Sequence, residues 1–157
     1  LASLAIFMTL IIMYPVGREI NDTALQPYLA EQIDFNEALD RAQVPLRSFM
    51  FKHTREKDIS IFYSIAKMDQ PRSKDEVPTT MLAAAYVLSE LKTGFSIGFL
   101  IYIPFLIVDM VVSSILLAMG MMMLPPMMVS MPFKLLLFVM VDGWNLLVGS
   151  LVNSFMI

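Results

Sequence analysis

Pro125 and Pro126 stand side by side inside the most apolar part of this chain, in the run Gly120-Met121-Met122-Met123-Leu124-Pro125-Pro126-Met127-Met128. A proline ring removes a backbone N–H and clashes with the preceding turn, so a tandem pair cannot continue a helix. Long apolar segments flank the run on both sides. Such segments are helical where water is absent, because a helix satisfies its own backbone donors and acceptors. The pattern predicts a helical hairpin whose arms meet at a loop, 120–131, rich in thioethers, which are the most adaptable apolar side chains. The first arm, from Phe95 to Ala118, would run about 36 Å and could cross a hydrocarbon core. Pro104 inside it predicts a kink. The second arm is expected to start at Pro132 or Phe133 and to run to Ile157. Gly143 and Gly149 in it would permit close approach by a neighbour.

Charge is segregated along the chain. Apart from Asp109, Lys134 and Asp142, every charged side chain lies between Arg18 and Lys92. That division gives three regions: an apolar start, 1–16; a polar middle, 17–94; and an apolar end, 95–157. The hydrophobic share of 57% exceeds the usual share of about 45–50% for globular proteins. The net charge of −3 gives no reason to expect a nucleic-acid partner. Cysteine is absent, so disulfides and thiolate metal sites are excluded. The first residue is Leu1, in the middle of an apolar run. The expectation is a fragment whose N-terminal part, with a signal peptide or an earlier membrane helix, is missing. Residues 1–16 are too few for a span of about 20 residues and are read as the end of a truncated membrane helix, stopped by Pro15 and Gly17.

The polar middle reads as a water-soluble helical module. Asp34 and Glu37 have the spacing of a capping box. Apolar stripes follow at Phe35 and Leu39, then at Leu46, Phe49 and Met50 after Pro45 in a first-turn position, then at Ile61, Phe62 and Ile65. They are expected to form a small helical core. Arg55 to Asp58 reads as a solvated face. His53, the only histidine, lacks the companions that a zinc site needs. Met68 to Pro78 is polar with prolines and reads as a loop. A helix is expected from Thr79 or Thr80 to about Lys92, with its exit at Gly94. The fold class is therefore all-α: a polytopic membrane-type protein with a helical hairpin, a Met/Pro-rich loop and a small helical extracytoplasmic domain.

Asp109 sits within an otherwise uncharged helix. A lone carboxylate in hydrocarbon is costly, so such residues pair or line water. Lys134 is the natural partner. The two lie at comparable depth if the hairpin turns near Met122, and are offset by roughly 5–10 Å if it turns at Pro125-Pro126. In the second case pairing between subunits is favoured. The alternative is Lys134 reaching a water interface beside a protonated Asp109. Asp109 with Asp142 raises an intramembrane aspartyl protease, but Val139-Met140-Val141 replaces the Gly-x-Gly lead of such enzymes. With no serine–histidine pair, glycine-rich nucleotide loop or zinc motif in the chain, an enzyme is not expected, and no cofactor is. The methionines admit ordinary core packing, Cu(I) binding through Met123, Met127 and Met131, or a pore gasket that seals by dewetting. On residue chemistry alone, core packing ranks first.

Four blocks together resemble a known family. They are Ile103-Pro104-Phe105-Leu106-Ile107-Val108-Asp109-Met110-Val111-Val112-Ser113-Ser114; Gly120 to Pro126; Pro132-Phe133-Lys134-Leu135-Leu136-Leu137-Phe138-Val139; and Val141-Asp142-Gly143-Trp144. In this order and spacing they resemble the FliP/SctR family, export-gate subunits of bacterial type III secretion systems. Pro45-Leu46-Arg47-Ser48-Phe49-Met50 and Ser89-Glu90-Leu91-Lys92-Thr93 extend the resemblance upstream, towards the flagellar branch. The resemblance implies an inner-membrane pore in the flagellar basal body, passing unfolded export substrates, with the polar middle in the periplasm. It implies five copies assembled with FliQ and FliR, beside FlhA and FlhB. It implies that Asp109, Lys134 and Asp142 tie subunits together, and that Met121, Met122, Met123, Met127 and Met128 line a gate. The rivals are a secondary transporter with a broken helix at the membrane midplane, for which no internal repeat is found, and a purely structural membrane scaffold.

Overall fold

The computed structural model describes residues 1–121 and 123–156, and among them helices and turns are the only regular elements. Helix α1 (Ala2–Ile20) widens through a π-helical turn (Asn21–Leu25) into the short α2 (Gln26–Leu29). Helices α3 (Phe35–His53) and α4 (Glu56–Ala66) follow. After a loop with one 3-10 turn (Lys74–Glu76) comes α5 (Thr79–Ala118), then α6 (Pro126–Met140) and α7 (Gly143–Met156). The chain divides into two compact units, Leu1–Lys92 and Thr93–Ile157.

In the first unit, α3 packs beside α1 and the π-helical turn. Asp34 caps α3 as its spacing predicts, its carboxylate accepting the Glu37 N–H at 2.7 Å. Glu37 turns its own carboxylate to Arg41, one turn on, at 2.6 Å. The apolar core gathers Ile59, Tyr63, Val77, Leu82 and Ala85, with Met50, Phe51, Phe62 and Met81 against it. The stripes expected to form it are partly misplaced. Phe35, Leu39, Ile61 and Ile65 are exposed, and the inward face of α4 is set by Ile59 and Tyr63.

Prolines interrupt less than expected. Pro15, Pro45 and Pro132 all lie inside helices, although each was expected at a helix end or start. In apolar surroundings, leaving the helix would strip several backbone groups of partners, against the single bond that proline removes. Pro45 is held instead by burial. Gly94 likewise fails to end a helix: α5 runs unbroken through it for 40 residues, about 60 Å.

In the second unit, α5 ends where Gly120 takes a left-handed conformation (φ 75°). Met121 N–H then bonds Leu116 C=O and Gly120 N–H bonds Leu117 C=O, the paired bonds of a Schellman stop. Helix α6 starts at Pro126, six residues before Pro132, because a proline with its N–H already missing suits a first helical position. The second arm is not one helix. It breaks at Val141-Asp142, where Asp142 is left-handed (φ 49°), and α6 and α7 meet at a 60° bend. Gly143 makes the bend possible: a Cβ there would lie 2.2 Å from the Phe138 ring. That ring stands edge-on to Trp144, 5.5 Å between centroids.

Among the described residues, two helical runs are long and apolar enough to cross a membrane, Ala2–Leu29 and Thr79–Ala118, and the bent α6–α7 pair would make a third if it forms one span.

Candidate functional site

The hairpin places its chemistry in two spots, an ionic lock between its arms and an apolar tip. The lock is set by helical spacing. Ser130 and Lys134 are one turn apart on α6 and so share a face. Both reach Asp109 on α5: Lys134 Nζ lies 2.6 Å from one carboxylate oxygen, and the Ser130 hydroxyl donates to the other at 2.5 Å. Ser130 is fully buried, while Asp109 and Lys134 keep about a quarter of their side-chain surface. One turn away, Phe105 faces Phe138 at 6.3 Å. In sequence the 105–138 and 109–134 pairs are both centred between positions 121 and 122. The arms are thus in antiparallel register about the methionine run, and the pair meets within one chain.

At the tip, Met121, Met123, Met127 and Met128 are exposed, Met123 completely. None of them has found a place in a core of its own chain, the use that residue chemistry alone ranked first. Met122 lies outside the described residues. Asp142 stands at the α6–α7 bend, exposed, and is not brought to Asp109 and Lys134.

A second polar lock sits in the first unit. Asp58, expected on a solvated face, is 1% exposed. It lies in the first turn of α4, where the helix dipole favours a negative charge. Its carboxylate accepts from the Ser89 hydroxyl at 2.6 Å and from the Lys92 ammonium. Ser89 accepts in turn from the Arg55 N–H at 3.0 Å. The bond from Lys92, and then that from Ser89, holds the Asp58 carboxyl below the usual carboxylate range against the opposing effect of burial. Arg47 ties the loop down. Its guanidinium donates to Thr79 Oγ1 at 2.7 Å and to the Val77 carbonyl at 2.8 Å, and sits 5.5 Å over the Phe51 ring. His53 packs at a tilt against Phe49 one turn before it, 4.6 Å between centroids, and burial lowers its pKa.

Sequence reasoning missed Ser130, Asp58, Ser89 and Arg47. Ser130 was legible from its four-residue spacing to Lys134. Ser89, Lys92 and Arg47 fall in the two upstream blocks of resemblance, yet nothing in periodicity gave them a partner. Asp58 was hidden because its neighbours Arg55, Glu56 and Lys57 are all exposed.

A family model described as "FliP family" matches residues 1–151. The "Flagellar biosynthetic protein FliP" of Bacillus subtilis is 55% identical over 155 residues, covering 99% of this chain and 70% of that protein. Proteins of the same description from Pectobacterium carotovorum and Aquifex aeolicus are each 48% identical. Against these two the chain spans 60% and 65% of their length.

Proposed function

This chain belongs to the FliP family, and from that premise we propose that it is the larger part of a pore subunit of the flagellar type III export gate. In this proposal five copies assemble with FliQ and FliR in the bacterial inner membrane, beside FlhA and FlhB. They pass unfolded flagellar proteins, and the subunit acts by shape and packing, without catalysis. Residues 17–94 form a periplasmic module, 1–16 belong to an apolar membrane helix, and 95–157 form the hairpin with its gate loop, 120–131. Asp109 and Lys134 contribute to contacts between copies.

The observation that carries this reading is the uncovered tip. Met121, Met123, Met127 and Met128 project from a hairpin whose own chain does not bury them. Contiguous exposed apolar surface marks an interaction site. Copies arranged around an axis would bring these flexible side chains together as a gasket, closed to water and ions by dewetting and deformable around a passing chain.

The test is the native mass of the full-length protein, co-expressed with candidate partners and extracted in mild detergent. The proposal expects a ring-sized homo-oligomer that carries smaller membrane subunits. A monomer or dimer, stable alone, would contradict it and favour a transporter.

A further inference from the structure

Helix α7 differs from the rest of the apolar end in carrying a polar stripe, interrupted by Leu146, along one side. Asn145, Gly149, Ser150 and Asn153 recur at helical spacing on one side, continuing the line of Asp142 at the bend. Leu147, Val148, Leu151, Val152 and Phe155 occupy the other side. The polar residues, together with Val141 and Leu146, line an open groove of about 320 Å³. Asp142, Asn145 and Asn153 are exposed, and no side-chain partner for either asparagine is found among the described residues. At 14 residues, or about 21 Å, α7 alone is too short to cross a hydrocarbon core of about 30 Å.

Such a face is costly against lipid, where amides and a carboxylate lose their water. It is also ill suited to the same unit of a neighbouring copy. The only cation from Thr93 onward is Lys134, which already meets Asp109, so Asp142 would find no opposite charge there. The face carries no Lys or Arg and therefore does not fit an anionic membrane surface. Carboxamides and a hydroxyl both donate and accept hydrogen bonds. They complement the amides of an extended polypeptide whatever its sequence, and Gly149 leaves room for close approach.

We propose that the Asp142–Asn153 face of α7 lines a water-filled path and contacts the backbone of the passing polypeptide. This rests on the export-gate reading. It adds to the apolar methionine seal a separate polar surface that binds without sequence preference.

The test uses the full-length protein in its assembled complex, with single cysteines introduced into a cysteine-free background. Asn145→Cys and Asn153→Cys represent the polar face, and Leu147→Cys and Leu151→Cys the apolar one. The probes are a membrane-impermeant maleimide and a stalled export substrate bearing one cysteine. The expected result is labelling and substrate disulfides at 145 and 153, and neither at 147 and 151. Unlabelled cysteines at 145 and 153, or disulfides between copies in place of substrate, would overturn the inference. Met123→Cys separates the two levels: if it captures substrate while α7 does not, only the α7 inference fails. If neither captures substrate in an intact assembly, the export reading fails with it. Asn145→Leu with Asn153→Leu should lower export several-fold at unchanged native mass, while the paired serine variants should retain it. Equal export by the leucine and serine pairs would also overturn the inference.

Discussion

The two units contain the same trio in different surroundings. Asp58 accepts from Ser89 and Lys92, and Asp109 accepts from Ser130 and Lys134. In each case the serine and lysine are one turn apart on one helix and the carboxylate comes from another. Asp58 is closed off beside an apolar core and sits at the favourable end of a helix dipole. Asp109 lies nine residues before the end of the 40-residue α5, in a stretch without another charge, and has neither advantage. Its only compensations are Ser130, Lys134 and whatever surrounds the hairpin in an assembly. The same hydrogen bonds therefore serve to finish a core in one unit and to make a charge tolerable in the other.

The largest expected effect follows from that difference. Lys134→Met leaves Asp109 unpaired in apolar surroundings and should reduce export by about tenfold or more, because an isolated charge there is costly. Adding Asp109→Asn should restore part of the loss, since removing both charges is far milder than removing one. If the double variant were as inactive as the single, the pair would have a role beyond neutralising its own charges.

Asp58→Asn should be milder. Lys92 keeps 42% of its side-chain surface and can turn to water. The expected loss is about 1.5–3 kcal/mol, the range for hydrogen bonds to charged groups, read as faster hydrogen exchange in α4. A loss as damaging as that of Lys134→Met would erase the contrast between the units. Gly143→Ala should displace the Phe138 ring and cost about 1–3 kcal/mol, as overpacking does. Trp144, the only tryptophan, reports it directly as a shift in emission, and an unchanged spectrum would mean that the bend does not depend on this contact.

The smallest effect is that of pH on the first unit. The folded-state pKa of Asp58 is depressed, so its contribution is complete above the ordinary carboxylate value of about 4. It is lost as pH falls through the lower folded value. Protection of α4 should stay level from neutral pH to about 5, then fall, and Asp58→Asn should remove that part of the fall.

What was legible in the sequence is the part set by local chemistry. The all-α class, the Asp34 cap and the stop before Pro126 follow from backbone rules that tertiary context did not override. Helix boundaries at Pro15, Pro45, Gly94 and Pro132 did not, because burial and apolar surroundings favour an unbroken helix over the local cost of proline or glycine. The break at Val141-Asp142 was invisible for the opposite reason. It depends on a left-handed aspartate and on the contact between Gly143 and Phe138, which is a tertiary fact. The Asp109–Lys134 pair was legible as two charges in an apolar tract, whereas Ser130 and the buried Asp58 required the packing itself.

The central claim, that the exposed methionines at the hairpin tip seal a pore, is tested most directly by ion conductance. Serine replacements at Met121, Met122 and Met123 would be made in the full-length protein and measured in membranes carrying the assembled complex. The account predicts a marked ion leak with the native mass unchanged. Conductance no higher than wild type in a correctly assembled complex would contradict it.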